Sequence, residues 1–178
     1  MSLPKVIGLV GQKHSGKDTF YKLCLELYLD KRLEYCPYRY AFADALKQEV
    51  ADKHGITIEE LNKNKEKYRI ELQETGVKHR DIEKGHWIDK LADSLLNFKM
   101  KGPSLILITD VRFVNEAFFV RDLHGKLIRI HRRSSENDID SHISETEQRQ
   151  IICDDFIDNN ESELRYKMLI QDTLRKLL

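Results

Sequence analysis

Apolar positions along this chain switch between continuous short runs and helical spacing. The first run, Val6-Ile7-Gly8-Leu9-Val10, stops at Gly11, as expected for a strand buried on both faces. From about Gly16 to Leu29, Phe20, Leu23, Cys24 and Leu27 recur every three or four residues and predict a helix with one apolar face. Lys31, Arg32 and Pro37 mark a connection, and Tyr38 to Phe42 a short strand. A helix over 43–50 follows, with Asp44 near its start and Phe42, Ala45 and Leu46 as core. Thr57 with Glu60 three residues on forms a capping box that opens a short helix. The pattern then predicts a helix from Lys65 to Thr75 ending at Gly76, and an amphipathic one from Ile88 to Phe98. After Gly102-Pro103, Leu105 to Thr109 is a second continuous apolar run. It is followed by a helix with Val114, Ala117, Phe118 and Arg121 on one stripe, ending near Gly125. Leu127 to Ile130 and Asp155 to Ile157 read as the last strands. Glu161 to Leu178 reads as a closing helix carrying Leu164, Met168, Ile170, Leu174, Leu177 and Leu178.

Five short strands alternating with helices imply an α/β fold with a parallel sheet. The expected division is one domain, with a core at 1–54, 101–131 and 151–178 and a helical insertion at about 55–100. The polar, Ser- and charge-rich stretch at about 132–150 is either a mobile lid or a surface loop. Its Ser144 and Glu147 can cap a helix through 144–151, and His142 lies inside it.

Composition narrows the function classes. A chain of 178 residues is long enough for a substantial core. Thirty basic and thirty acidic residues cancel, so no global field favours nucleic acid or an anionic membrane, and any anion site must be local. Cys24, Cys36 and Cys153 are odd in number and lack metal-type spacing, which favours reduced core or boundary thiols over a redox or metal role. The chain runs straight into its first strand without a long apolar segment, so neither a signal peptide nor a membrane span is expected, and a cytoplasmic location is.

The candidate chemistry begins where the first run ends, in Gly11-Gln-Lys-His-Ser-Gly16-Lys17-Asp18-Thr19. Two glycines let the backbone bend and turn N–H groups inward, including those of His14 and Ser15. Lys17 would place its charge on β/γ-phosphates, and the following helix N-terminus adds a partial positive charge. Asp18 stands where such a phosphate-binding loop usually has Ser or Thr. A carboxylate there can serve Mg²⁺, although it also brings negative charge near a triphosphate. The competing reading is an ordinary glycine turn. Asp110, at the end of the Leu105–Thr109 run, is a second candidate for Mg²⁺ or its water, since strand-terminal acids do this in P-loop proteins. Such residues also cap helices.

In the insertion, Arg69 and Gln73 share a helix face one turn apart, Arg80 follows, and Trp87 comes after Gly85. Arg can pair bidentately with phosphate, Gln can read a base edge, and Trp offers a stacking surface. Equally, this is a charged helix face with Trp87 anchoring Ile88, Leu91 and Leu95. Asp44 and Lys47 are either substrate-facing or solvated charges of a first turn.

Taken together, these segments resemble the phage-type deoxynucleoside monophosphate kinases, which carry Asp in place of Ser or Thr in the loop. Tyr40-Ala-Phe-Ala-Asp-Ala-Leu-Lys47, Arg69, Leu72-Gln73, Gly76, Arg80, Trp87, Thr109-Asp-Val-Arg-Phe-Val-Asn-Glu116, His142-Ile-Ser-Glu145 and Asp158-Asn159 are similar to that family's motifs, in order. Ala45 and Val114 stand where relatives often have Pro. The resemblance implies a P-loop NTPase three-layer sandwich, an ATP donor with Mg²⁺, and a deoxynucleoside monophosphate acceptor. It further implies that Gly11 to Gly16 and Lys17 hold the donor, with Asp18, Thr19 and Asp110 at the metal. Lys13 and Arg132 or Arg133 reach the transferring group, and Asp44, Arg69, Gln73, Arg80, Trp87 and Arg112 serve the acceptor. A homodimer is compatible with the apolar closing helix. The rivals are a phosphomevalonate-type small-molecule kinase and a non-catalytic nucleotide-binding regulator.

Overall fold

The computed structural model describes residues 3–99, 102–133 and 143–178, with backbone alone at 143–146. Its elements are β1 (Lys5–Val10), α1 (Lys17–Leu29), β2 (Cys36–Tyr40), α2 (Ala43–His54), α3 (Ile58–Lys63), α4 (Lys65–Ile82), α5 (His86–Leu96), β3 (Ser104–Val111), α6 (Val114–Asp122), β4 (Lys126–His131), α7 (Ile143–Gln150), β5 (Asp155–Asp158) and α8 (Glu163–Leu177). They form two compact units, residues 1–40 with 99–178, and residues 41–98. The second unit begins at Ala41 rather than near 55, because α2 buries Val50 and Ala51 against Leu61, Tyr68 and Leu72 of α3 and α4.

In the first unit all five strands pair in parallel, in the order β2-β3-β1-β4-β5. Alternation along β1 sorts its side chains. Ile7 and Leu9 pack with Phe20, Leu23 and Leu27 of α1 and with Tyr166, Ile170 and Leu174 of α8. On the other face, a Cβ on Gly8 would meet Val120 of α6 at 3.1 Å and Leu127 at 2.8 Å. Helices on both faces explain why Val6–Val10 of β1 and Leu105–Ile108 of β3 are continuously apolar rather than alternating. This is the three-layer sandwich anticipated from the sequence.

The helix faces differ from expectation in two places. Buried positions on α6 are Glu116, Ala117 and Val120, and Phe118 is 62% exposed. On α8 the buried stripe is Tyr166, Ile170, Thr173 and Leu174, which leaves Leu164 and Met168 outside it. Residues four, seven and eight beyond Tyr166 share its face, whereas Leu164 and Met168 form a neighbouring stripe one turn apart. Cys24 is buried, and burial pushes its thiol well above the ordinary range, so it stays neutral.

The edge between β4 and the segment before β5 is tied by Asp154. Its carboxylate accepts the Leu127 N–H at 2.8 Å and lies 3.4 Å from Arg121 and 3.7 Å from Lys126. Partial burial works against the charge, but the Leu127 N–H and the two cations outweigh it and hold the carboxyl below its usual range. A depressed native pKa stabilises the fold above the unfolded-state pKa of about 3.9, and the contribution is lost as pH falls through the native value. Asp154→Asn should therefore lower the urea midpoint at pH 7, and the difference from the parent should shrink below about pH 4.

In the second unit the Thr57 capping box is present: Glu60 N–H donates to Thr57 Oγ1 at 3.1 Å, and Thr57 N–H to Glu60 Oε2 at 2.9 Å. The helix expected to end at Gly76 instead runs on to Ile82. Glycine here serves close approach. Its carbonyl accepts both Arg80 Nη1 at 3.0 Å and Trp87 Nε1 at 3.2 Å, and a Cβ would come 3.3 Å from the Arg80 guanidinium.

Candidate active site

The loop leaving β1 gathers most of the predicted donor residues. Gly11 has no room for a side chain: a Cβ would sit 2.5 Å from the Ile130 carbonyl oxygen and 2.7 Å from Ser15 Oγ. Gly16 caps α1 at φ 108°, where a Cβ would lie 2.3 Å from Asn159 Nδ2. His14 takes a left-handed backbone at φ 63°, unusual for a residue with a side chain. These conformations turn the chain sharply through Lys13, His14 and buried Ser15 into the N-terminus of α1. Lys17, in the first turn, folds back so that its ammonium donates to the Gly11 carbonyl at 2.5 Å and the Gln12 carbonyl at 2.6 Å, with Ser15 Oγ at 3.4 Å. The ammonium is thus held by two backbone carbonyls of the loop it follows.

Three buried side chains outside the loop brace it. Asn159, just past β5, donates Nδ2 to the Ser15 carbonyl at 2.9 Å while its own N–H donates to the His131 carbonyl at 2.8 Å. Tyr166 on α8 donates its hydroxyl to the Gly16 carbonyl at 3.1 Å. Gln148 on α7 donates Nε2 to Gly11 O at 3.2 Å and Val111 O at 3.4 Å, joining the loop to the end of β3. The helix expected through 144–151 is thus present as α7, and it is held to the loop by a side chain 3% exposed. Residues 134–142, His142 included, lie outside the described residues.

The strand ends place the remaining first-unit candidates. Val10 pairs with Val111, which sets Asp110 and Arg112 beside the beginning of the loop, at the carboxyl edge of the sheet. The turn after them is fixed by buried Glu116, whose Oε2 accepts the N–H groups of Arg112 at 2.8 Å and Phe113 at 3.1 Å. Asp18 faces solvent on α1, with Arg39 Nε 4.0 Å away, and Thr19 follows it. Arg132 and Arg133 are exposed beyond β4, and the Arg133 N–H donates to Asn160 Oδ1 at 2.8 Å.

In the second unit Arg69, Gln73 and Arg80 fall along one stripe of α4, at intervals of four and seven residues. Arg69 lies 3.6 Å from Glu66 and is 41% exposed at its side chain. Asp44 occupies the first turn of α2. Trp87 does not offer the open ring face expected of a stacking platform. It is 3% exposed, its N–H is bonded to Gly76, and His79 and His86 stand edge-on to it. A buried indole with a satisfied N–H is a packing anchor.

Sequence reasoning missed Arg39, Gln148 and Tyr166. Tyr166 was visible four residues before Ile170 on the apolar stripe of α8, whereas Gln148 lies in a polar octet with nothing to mark it as buried.

A parallel sheet flanked by helices, with a glycine-cradled lysine after its central strand and an acid at the neighbouring strand end, defines a P-loop kinase fold. Solved structures agree at the level of fold. The APS kinase CysC of Mycobacterium tuberculosis matches with a TM-score of 0.52 at 15% identity, covering 98% of this chain and 99% of that one. The same enzyme in complex with AMPPNP and APS matches with a TM-score of 0.50 at 14% identity, with 98% and 99% covered. The sequence model of the deoxynucleotide monophosphate kinase family matches residues 72–168. A protein of Acanthamoeba polyphaga mimivirus named "Putative deoxynucleotide monophosphate kinase" is 32% identical over 174 aligned positions, spanning 85% of this chain and 86% of that protein. The chain belongs to the deoxynucleotide monophosphate kinase family, and it is a kinase. Among the described residues no helix is long and apolar enough to cross a membrane.

Proposed function

We propose that the protein transfers the γ-phosphoryl group of ATP to the phosphate of a deoxynucleoside monophosphate. The carrying observation is the loop geometry: Gly11 and Gly16 pass too close to Ile130, Ser15 and Asn159 for any Cβ, and the tight turn they allow holds a lysine ammonium on its own carbonyl oxygens. Donor phosphates accept N–H groups from the loop, and Lys17 exchanges its bonds to Gly11 and Gln12 for phosphate oxygens. Asp18, Thr19 and Asp110 are oxygen donors of the kind Mg²⁺ prefers, and are the residues that would hold it. When bound, that ion neutralises charge on the transferring group. Lys13 and Arg132 or Arg133 add positive charge there, while Arg69, Arg80 and Arg112 hold the acceptor phosphate and Gln73 its base. Phosphoryl transfer asks little covalent chemistry of the protein, so positioning and charge supply the rate.

The test is ADP release with ATP and Mg²⁺ across panels of deoxynucleoside and ribonucleoside monophosphates, with phosphomevalonate as the non-nucleotide arm. Turnover on one or more deoxynucleotides is expected. Arg69→Ala should raise KM for the acceptor about ten- to a hundredfold, as loss of a charged phosphate contact worth 1.5–3 kcal/mol implies. Silence on every nucleotide with turnover on phosphomevalonate overturns the reading. ATP binding without turnover on anything assigns a regulator instead.

A further inference from the structure

The second unit brings three metal-ligating side chains together from three helices. Glu49 of α2, His79 of α4 and His86 of α5 each offer one donor atom within 4.8 Å of the others. His79 Nε2 is 2.8 Å from Glu49 Oε1. The two imidazoles stack at 4.4 Å between centroids, 18° from parallel. His86 Nε2 is buried with no hydrogen-bond partner, although a buried imidazole nitrogen normally has one. Nothing in the phosphoryl-transfer reading uses these groups.

We propose that Glu49, His79 and His86 form a binding site for a late first-row divalent cation, with Zn²⁺ as its natural probe. Two imidazole nitrogens and a carboxylate oxygen are the donor set of open tetrahedral zinc sites, and they leave the fourth position to water or a ligand. The same nitrogens disfavour Mg²⁺ and Ca²⁺, which take oxygen donors. The ion takes the place of the proton shared by His79 and Glu49 and gives the buried His86 nitrogen its missing partner. Tetrahedral bonds of about 2.0 Å place donors roughly 3.3 Å apart, which lies between the 2.8 Å of the His79–Glu49 pair and the 4.8 Å within which all three donors fall. Once bound, the ion links α2, α4 and α5, so it should raise Tm in proportion to the logarithm of its concentration.

Trp87 is the sole tryptophan of the chain and lies 5.4 Å from the His79 ring and 4.6 Å from the His86 ring, so its fluorescence reports the site directly. Titrating the full chain with Zn²⁺, without nucleotide, should give a saturable fluorescence change at one equivalent, coincident with calorimetric heat and unaffected by millimolar Mg²⁺. Glu49→Gln and His86→Gln should each weaken binding by at least the roughly 10–100-fold that even outer-shell changes cost zinc sites. Should a variant fail to fold, imidazole ¹⁵N spectra of the unaltered protein decide, because Zn²⁺ should shift two of its seven histidines as the Trp87 signal saturates. Absence of saturable binding, binding unchanged in both folded variants, or shifts on histidines away from Trp87 would each overturn the site.

Discussion

Replacing Lys17 with Met should lower kcat about 10³-fold while leaving the urea midpoint nearly unchanged. Met keeps the length and apolar stem of lysine but removes the ammonium, whose present partners are the Gly11 and Gln12 carbonyls at 2.5 and 2.6 Å. Those carbonyls belong to a loop held independently by Asn159, Tyr166 and Gln148, so the fold does not depend on the charge. The rate does. Removing one preorganised donor from developing charge costs about 10²–10³-fold, and cations that meet a transferring phosphoryl group are worth 10³-fold or more. Steady-state kinetics with saturating ATP and acceptor, beside urea unfolding, checks both halves. A kcat within tenfold of the parent would remove Lys17 from the reaction.

The second large effect is on the cradle itself. Gly11→Ala should destabilise the protein by about 3 kcal/mol and abolish ATP binding. The added methyl meets the backbone oxygen of Ile130 at 2.5 Å and Ser15 at 2.7 Å. Backbone on a central strand cannot step aside as a flexible side chain can, so either β4 shifts or the loop leaves its place. For a chain of this length that is a fall in Tm of about 6–12 °C, read by calorimetry, with nucleotide titration for the binding. The pair separates chemistry from architecture: Lys17 carries charge with little structural burden, and Gly11 carries structure with no charge.

The loop was legible in the sequence because its requirements are local. A strand ending in glycine, a second glycine and a lysine five and six residues on, and a helix behind them define the turn without reference to the rest of the chain. Asp110 was legible for the same reason, since a buried parallel strand advertises its own end by losing its apolar run. Gly76 shows the limit. Local rules end a helix at glycine, but this one runs on, its carbonyl reached by Arg80 and Trp87 from later in the chain. The same holds for Trp87: the aromatic was found, but its burial was decided by neighbours from α4 and α5.

From the order of its apolar runs and helical stripes, the chain by itself determined a parallel α/β sheet, a glycine-rich loop with its lysine after the first strand and a helical segment bearing arginines. Those features follow from periodicity and short-range backbone chemistry. Only the tertiary structure decided the strand order, the division at Ala41, the bracing of the loop by Gln148, Asn159 and Tyr166, and the convergence of Glu49, His79 and His86. Each of these joins residues far apart in the chain. Such contacts depend on which faces the helices present once the cores close, and that choice is made by the packing of the whole unit rather than by any one segment.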